Sequence, residues 1–265
     1  ILIELEQNDR VVGGIDSVAS ECARAFYKTL TSGQVFTTQA RTAELTKLTE
    51  NAYRDVNIAF ANELSMICDR MDIDVWELIA LANRHPRVKI LQPGPGVGGH
   101  CIAVDPWFIV DAAPEVSTLI RCARGVNLEK TEFVVEKILS SLASNPKASL
   151  AFLGLTYKPD IDDIRESPAV DVLNKILASS WRGTIHVVEP HLTSLPAQWR
   201  SDARIRLSTL EEAMGSCSVC ALLVDHRELK AIHPQKLAGK IVIDTRGAWR
   251  EKSLPTSVDI FPESF

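Results

Sequence analysis

Ser149-Leu150-Ala151-Phe152-Leu153-Gly154-Leu155 is an unbroken apolar run punctuated by one glycine. A run this short, without polar alternation, reads as a strand covered on both faces, as in a parallel sheet. The chain after it repeats one rhythm. Ser167-Pro168 caps and opens a helix that extends through Ser179. Thr184 to Val188 reads as a strand, 209–215 as a helix and 218–224 as a strand, and Lys240-Ile241-Val242-Ile243-Asp244 as another strand. Strands alternating with helices predict a small Rossmann-like parallel α/β sheet over residues 146–265, with its ligand at the carboxyl ends of the strands. Asn145-Pro146-Lys147 marks where this pattern begins.

Upstream, residues 40–145 read as helical. Between 40 and 70 there is neither Gly nor Pro, and Leu45, Leu48, Ala52, Val56, Ala59, Glu63 and Ile67 recur at spacings of three and four. One helix of about 30 residues exceeds the usual globular length, so it predicts a spine or a subunit contact. A second helix starts at the cap Asp74 and runs to Asn83, with Pro86 closing it. Further helical stretches lie near 117–125 and 127–144. At the start, Val11 to Ile15 is a short strand or turn, 17–31 a helix and 34–38 a strand. Ile1-Leu2-Ile3-Glu4-Leu5 has no Met and no basic segment. It does not read as a signal peptide, and suggests a piece of a longer protein.

The chemistry concentrates in Gly94-Pro95-Gly96-Val97-Gly98-Gly99-His100-Cys101-Ile102-Ala103-Val104-Asp105-Pro106-Trp107-Phe108. Glycines allow close backbone approach. Asp105-Pro106 reads as a helix cap and first residue, which places the Cys101 thiol just ahead of a helix N-terminus, where thiolate is favoured. Asp105 has two competing readings, cap or activator of a water beside the thiol. A Cys101–His100 pairing is disfavoured, because neighbours in an extended segment point apart. Lys47 and Asn51 share a helix face one turn apart, where both can aim at one developing oxyanion. Their bland reading is a solvated pair.

Lys158 and Arg165 lie between a strand end and the helix opened by Ser167, a good setting for a diphosphate. The rival for Arg165 is self-pairing with Asp162 or Asp163. Arg246 follows another strand and can join the same pocket. Arg87, with Arg84 and Lys89, forms either a solvated basic turn or a phosphate contact.

Composition excludes several classes. A formal charge of -5 over 265 residues argues against nucleic acid or an anionic membrane as partner, and no apolar run approaches a membrane span. The six cysteines are scattered, which fits free thiols in a cytoplasmic protein. Cys217-Ser218-Val219-Cys220 lacks the second pair that zinc needs, so it reads as buried strand cysteines, and no metal site is expected. No G-x-G-x-x-G follows a strand, so no dinucleotide loop is expected in this chain.

The runs Glu44 to Asn51, Asn57 to Leu64, Gly94 to Phe108 and Gly154 to Pro168 together resemble the UDP-glucose/GDP-mannose dehydrogenase family, nucleotide-sugar 6-dehydrogenases. The resemblance implies three parts: residues 1–39 as the last piece of an NAD-binding Rossmann domain, 40–145 as a helical dimerisation domain, and 146–265 as a UDP-sugar-binding domain. It implies a homodimer through the long helix. It also implies oxidation of a sugar C6 alcohol to a carboxylate with NAD, in cell-envelope polysaccharide synthesis. Cys101 would carry thiohemiacetal and thioester, Lys47 and Asn51 the oxyanion, and Asp105 the water. Arg87, Gly98, Gly99, Lys158, Arg165 and Arg246 would bind substrate. His100 and Ile102-Ala103-Val104 favour the acetamido-mannose branch. With most of the NAD domain missing, the alternative expectation is an inactive dimeric fragment that binds nucleotide sugar.

Overall fold

In the computed structural model, which describes residues 2–143 and 148–249, the chain begins α1 (Leu2–Gln7), β1 (Arg10–Gly14), α2 (Ser17–Lys28), β2 (Val35–Gln39) and α3 (Ala40–Met71). It continues through α4 (Val75–Ala82), α5 (Asp105–Ala112) and α6 (Thr118–Ala143). The last stretch alternates: β3 (Leu150–Leu153), α7 (Pro168–Ala178), β4 (Ile185–Val188), β5 (Ile205–Leu207), α8 (Leu210–Ser216), β6 (Val219–Leu222), α9 (Arg227–Lys230) and β7 (Ile241–Asp244). The expected junction at Asn145-Pro146-Lys147 lies outside the described residues. No helix among the described residues is long and apolar enough to cross a membrane.

The chain divides into two compact units, Ile1–Asn57 with His100–Gly125, and Ile58–Gly99 with Val126–Phe265. In the first, β1 and β2 pair in parallel from Arg10↔Val35 to Gly14↔Gln39, with α2 as the crossover. Sequence reading found both strands but not their pairing. Asp16 caps α2 by accepting from Ala19 N at 2.7 Å. Asp55 and Arg124 form a buried ion pair at 2.7 Å that ties the first part of α3 to the start of α6.

In the second unit five strands run parallel in the order β5-β4-β3-β6-β7. All four residues of β3 are buried. Their alternation feeds two cores. Leu150 and Phe152 pack with Val134 and Ile138 of α6 and with Val172, Leu173 and Ile176 of α7. Ala151 and Leu153 face the opposite way, against Ala213 and Met214 of α8, Cys220, Leu222 and Leu229. Each large side chain so enclosed contributes about 1.5–3 kcal/mol. Ser167 caps α7, Asp74 caps α4, and Thr209 with Glu212 builds a capping box on α8. Cys217 and Cys220 are both buried, Cys220 in β6 and Cys217 at the end of α8, and burial pushes the Cys220 thiol up to about 12.

One expectation is corrected. The stretches near 117–125 and 127–144 are a single helix, α6, running straight through Gly125. A glycine in a helix interior costs up to about 1 kcal/mol. The buried face of the helix, with Val134, Ile138 and Leu142, outweighs that cost.

Between the later turns of α3 and α6 runs a polar ladder. Asn62 donates to Asn127 Oδ1 at 2.9 Å, and Lys130 donates to Ser65 Oγ at 2.8 Å. The Lys130 ammonium also sits 4.6 Å from the Phe133 ring centre and borders a cavity of about 300 Å³. Burial and then the charge of Lys137 lower its pKa to about 8, against the opposing pull of Asp69.

Two tests follow from these helices. A Cβ at Gly125 meets nothing within 4 Å, so Gly125→Ala should raise stability by about 0.4–1 kcal/mol in a urea melt. For Lys130 the unfolded chain binds the extra proton between the folded value, about 8, and the ordinary lysine value near about 10.4. Its contribution to stability therefore grows as pH rises through that window. Lys130→Met should remove this component, read as the difference between the two proteins' melting curves from pH 8 upward.

Candidate active site

Cys101 stands exposed in the turn that precedes α5. Its carbonyl accepts from Val104 N at 3.0 Å and Asp105 N at 2.8 Å. The helix start differs from expectation by one residue. Val104 occupies the cap position without any side-chain cap bond, Asp105 is the first helical residue, and Pro106 the second. The cap reading of Asp105 is thereby removed. Its carboxylate instead accepts from Asn51 Nδ2 at 2.5 Å. Arg54 donates to Asn51 Oδ1 and so fixes which end of the buried amide faces Asp105. The structure thus joins Asn51 to Asp105, one turn beyond the thiol. Lys47 lies one turn before Asn51, but its ammonium is exposed and paired with Glu50 at 3.1 Å. An exposed thiol near an oriented carboxylate suits nucleophilic attack followed by hydrolysis.

The glycines of 94–99 are explained within the second unit. Gly99 N donates to Glu166 O at 3.1 Å. A Cβ on Gly98 would fall 2.3 Å from that same Glu166 carbonyl, and Gly99 has φ +91° with the Tyr157 ring 3.0 Å from any Cβ. The loop is also held from behind: Asn62 Oδ1 accepts from Gly94 N at 2.9 Å, and Thr131 donates to Pro95 O at 3.0 Å.

That docking places Pro95 and Gly96 beside Tyr157, Lys158, Asp225 and Arg246 around a small pocket of about 80 Å³. Arg246 Nε is steadied by Asp225 Oδ1 at 2.9 Å, and the exposed Lys158 ammonium lies 5.7 Å from the Tyr157 ring centre. Arg165 is not brought to this pocket. It folds onto Asp163 through Nε and Nη2, at 2.9 and 2.8 Å, which is the self-pairing rival. Arg87 stands in the exposed turn after α4, where its backbone N–H donates to His85 Nδ1 at 3.3 Å.

Sequence reasoning passed over a buried constellation at the strand ends. Glu189 follows β4, and its Oε2 accepts from Leu155 N at 2.6 Å and Thr156 N at 3.3 Å. The same oxygen lies 3.1 Å from His226 Nε2. Burial opposes ionisation of Glu189, but the bonds from His226, Leu155 N and His191 N outweigh it and leave the carboxyl below its ordinary range. His226 Nδ1 accepts from Asp160 N at 3.0 Å. Asp160, His191 and His226 bring ligand-type atoms within 4.8 Å of one another, but both His226 nitrogens are already engaged in hydrogen bonds within the protein. The available signal was positional: both Glu189 and His226 follow predicted strands, at the edge where such sheets bind ligands.

Comparison with known proteins places these features in a family. The chain matches the central domain of the UDP-glucose/GDP-mannose dehydrogenase family over residues 41–129 and that family's UDP binding domain over 151–251. It is 50% identical over 254 residues to an NDP-N-acetyl-D-galactosaminuronic acid dehydrogenase of Ralstonia nicotianae, covering 96% of this chain and 59% of the relative. It is also 50% identical over 259 residues to a UDP-N-acetyl-D-mannosamine dehydrogenase of Yersinia pestis, covering 94% and 61%. A solved UDP-D-ManNAc dehydrogenase from Pyrococcus horikoshii superposes with a TM-score of 0.82 at 33% identity, covering 98% of this chain and 60% of that one. The chain therefore spans about three fifths of the length of these relatives. Parallel α/β architecture, long central helices and both domain matches agree: the chain belongs to the UDP-glucose/GDP-mannose dehydrogenase family.

Proposed function

We propose that this chain carries the substrate-binding and nucleophilic parts of a nucleotide-sugar 6-dehydrogenase that oxidises the C6 alcohol of a UDP-N-acetylhexosamine to the uronate. UDP-N-acetyl-D-mannosamine is the first candidate and the galacto sugar the second, since relatives bearing both names are equally similar. The observation that carries the reading is the Asn51–Asp105 bond one turn beyond the exposed Cys101.

NAD is the hydride acceptor that the family implies. The described residues do not fit it. The carboxylate of Asp16 takes an N–H of the first turn of α2, and Glu189 takes the N–H groups of the loop after β3. These are two crossover positions, each opening a sheet, where a dinucleotide diphosphate would need such donors. The chain's own residues act on the sugar. Cys101 sulfur adds to the C6 aldehyde, forming a C–S bond as the carbonyl oxygen takes the electron pair; Asn51 and Lys47 are placed to stabilise that charge. Two hydrides must leave C6, one to give the aldehyde and one to turn this adduct into the thioester, both to NAD bound by the full-length enzyme; water then opens the thioester. Asp105 accepts the water's proton, the C–S bond breaks and the thiol is regenerated as the acid leaves. Lys158 and Arg246 hold the diphosphate, and Arg87 is a further substrate contact. Arg165, turned onto Asp163, is a second-rank candidate.

The homodimer reading also gains support. Leu45, Tyr53, Phe60, Ile67 and Met71 are exposed along α3 at steps of eight, seven, seven and four, which keeps them on one face. A second copy of the chain is the partner that this stripe fits.

The following outcomes test the proposal. Calorimetry should show the 265-residue chain binding the UDP-sugar, while an NADH absorbance assay on it stays flat. In the full-length enzyme, Asp105→Asn should lower kcat by about 10²–10⁴-fold, and Cys101→Ala should abolish acid formation. Normal acid production by Cys101→Ala would refute the covalent route. Phe60→Glu should shift the chain to monomer in sedimentation analysis.

A further inference from the structure

We infer that Glu189 and His226 are positioning residues for Lys158, and so set the affinity of this chain for the diphosphate end of its substrate. The inference rests on the nucleotide-sugar reading above. Lys158 itself is exposed, and its ammonium lies 5.7 Å from the Tyr157 ring centre, a weak hold on the side chain. The backbone on both sides of it is fixed instead, by groups from two neighbouring strand ends.

On one side, Glu189 at the end of β4 takes the N–H groups of Leu155 and Thr156. On the other, His226 beyond β6 takes the N–H of Asp160, two residues past the lysine, and Asp160 Oδ1 in turn accepts from Arg227 N at 2.9 Å. Between them the Thr156 hydroxyl donates to Lys158 O at 2.9 Å, and its oxygen lies 3.2 Å from His226 Nε2. The tautomer follows from these bonds. Nδ1 accepts a backbone N–H, so the ring proton is on Nε2, where the Glu189 carboxylate and the Thr156 oxygen face it. Each polar group in the network is answered. His226 and Glu189 are almost wholly buried, so no water competes for these bonds.

The same arrangement decides what the loop can bind. In a Rossmann-type crossover the N–H groups after the first strand face the ligand's phosphates. Here an internal carboxylate has claimed them. The anion must then be met by side chains, Lys158 and Arg246, and the lysine's reach depends on the pins at 155, 156 and 160.

The test uses the 265-residue chain, with UDP as probe. His226→Gln keeps a terminal N–H to donate towards Glu189, but when so placed it has no acceptor at the Nδ1 position that takes the Asp160 N–H. Thr156→Val removes only the hydroxyl link and guards against a fold defect in the first variant. Hydrogen exchange of the peptide spanning 154–166 should speed up at least about tenfold in His226→Gln, and the UDP dissociation constant should rise about tenfold, the scale of one lost buried hydrogen bond. Thr156→Val should weaken UDP severalfold. Lys158→Met should weaken UDP while leaving exchange unchanged. UDP affinity within twofold of wild type in folded His226→Gln or Thr156→Val would overturn the inference. Failure of the wild-type chain to bind UDP would overturn the nucleotide-sugar reading and this inference with it, a result separate from unchanged variants.

Discussion

β3 has a strand on each edge and helices on each face, and every part of the second unit is referred to it. Its register with β4 and β6, Leu150 against Ile185 and Val219, puts three strand ends side by side. The side chains of β3 alternate into two separate cores, so the strand can neither slip nor rotate without exposing one of them. The loop that leaves it at Gly154 therefore starts from a fixed point. Everything that the loop presents, from Thr156 to Glu166, inherits that precision.

The two sets of chemical groups are stabilised by different means. Around Cys101 the design is a relay of short polar contacts, in which Arg54 orients Asn51 and Asn51 orients Asp105. Around Lys158 it is a neutralised interior, where a buried carboxylate is surrounded by N–H donors and one imidazole, and the cations remain outside. The first arrangement leaves an oriented carboxylate one helical turn beyond an exposed thiol. The second keeps negative charge inside the loop and positive charge at its surface, a polarity that suits an anion.

Much of this was legible beforehand. The strands at 150, 185, 219 and 241 announced themselves as short apolar runs, and Asp74 and Ser167 marked their helices because capping is local chemistry. The long helix was evident from periodicity and the lack of breakers. Other features depend on tertiary context. β5 is three residues with Arg206 at its centre, too short and too polar to register. Gly125 looked like a break because local propensity cannot weigh the buried face that carries α6 through it. Asp105 had two readings, cap or activator of a water, because Asp-Pro is a common helix opening; only tertiary structure shows Val104 at the cap position and the Asp105 carboxylate bonded to Asn51. The Glu189–His226 pair was hidden because alternation of strands and helices does not state strand order. Only the order β4-β3-β6 makes those two residues neighbours.

The approach of Gly98 to residue 166 is lopsided. It is made by a missing side chain on one partner and by a main-chain carbonyl on the other. Glu166 is exposed, with φ +50°, so its side chain plays no part in the fit. Across evolution the two positions should drift at very different speeds: 98 frozen as glycine, 166 open to many polar residues and closed chiefly to β-branched ones, which resist a left-handed backbone. A saturation library would reveal that asymmetry as an empty column beside a nearly full one.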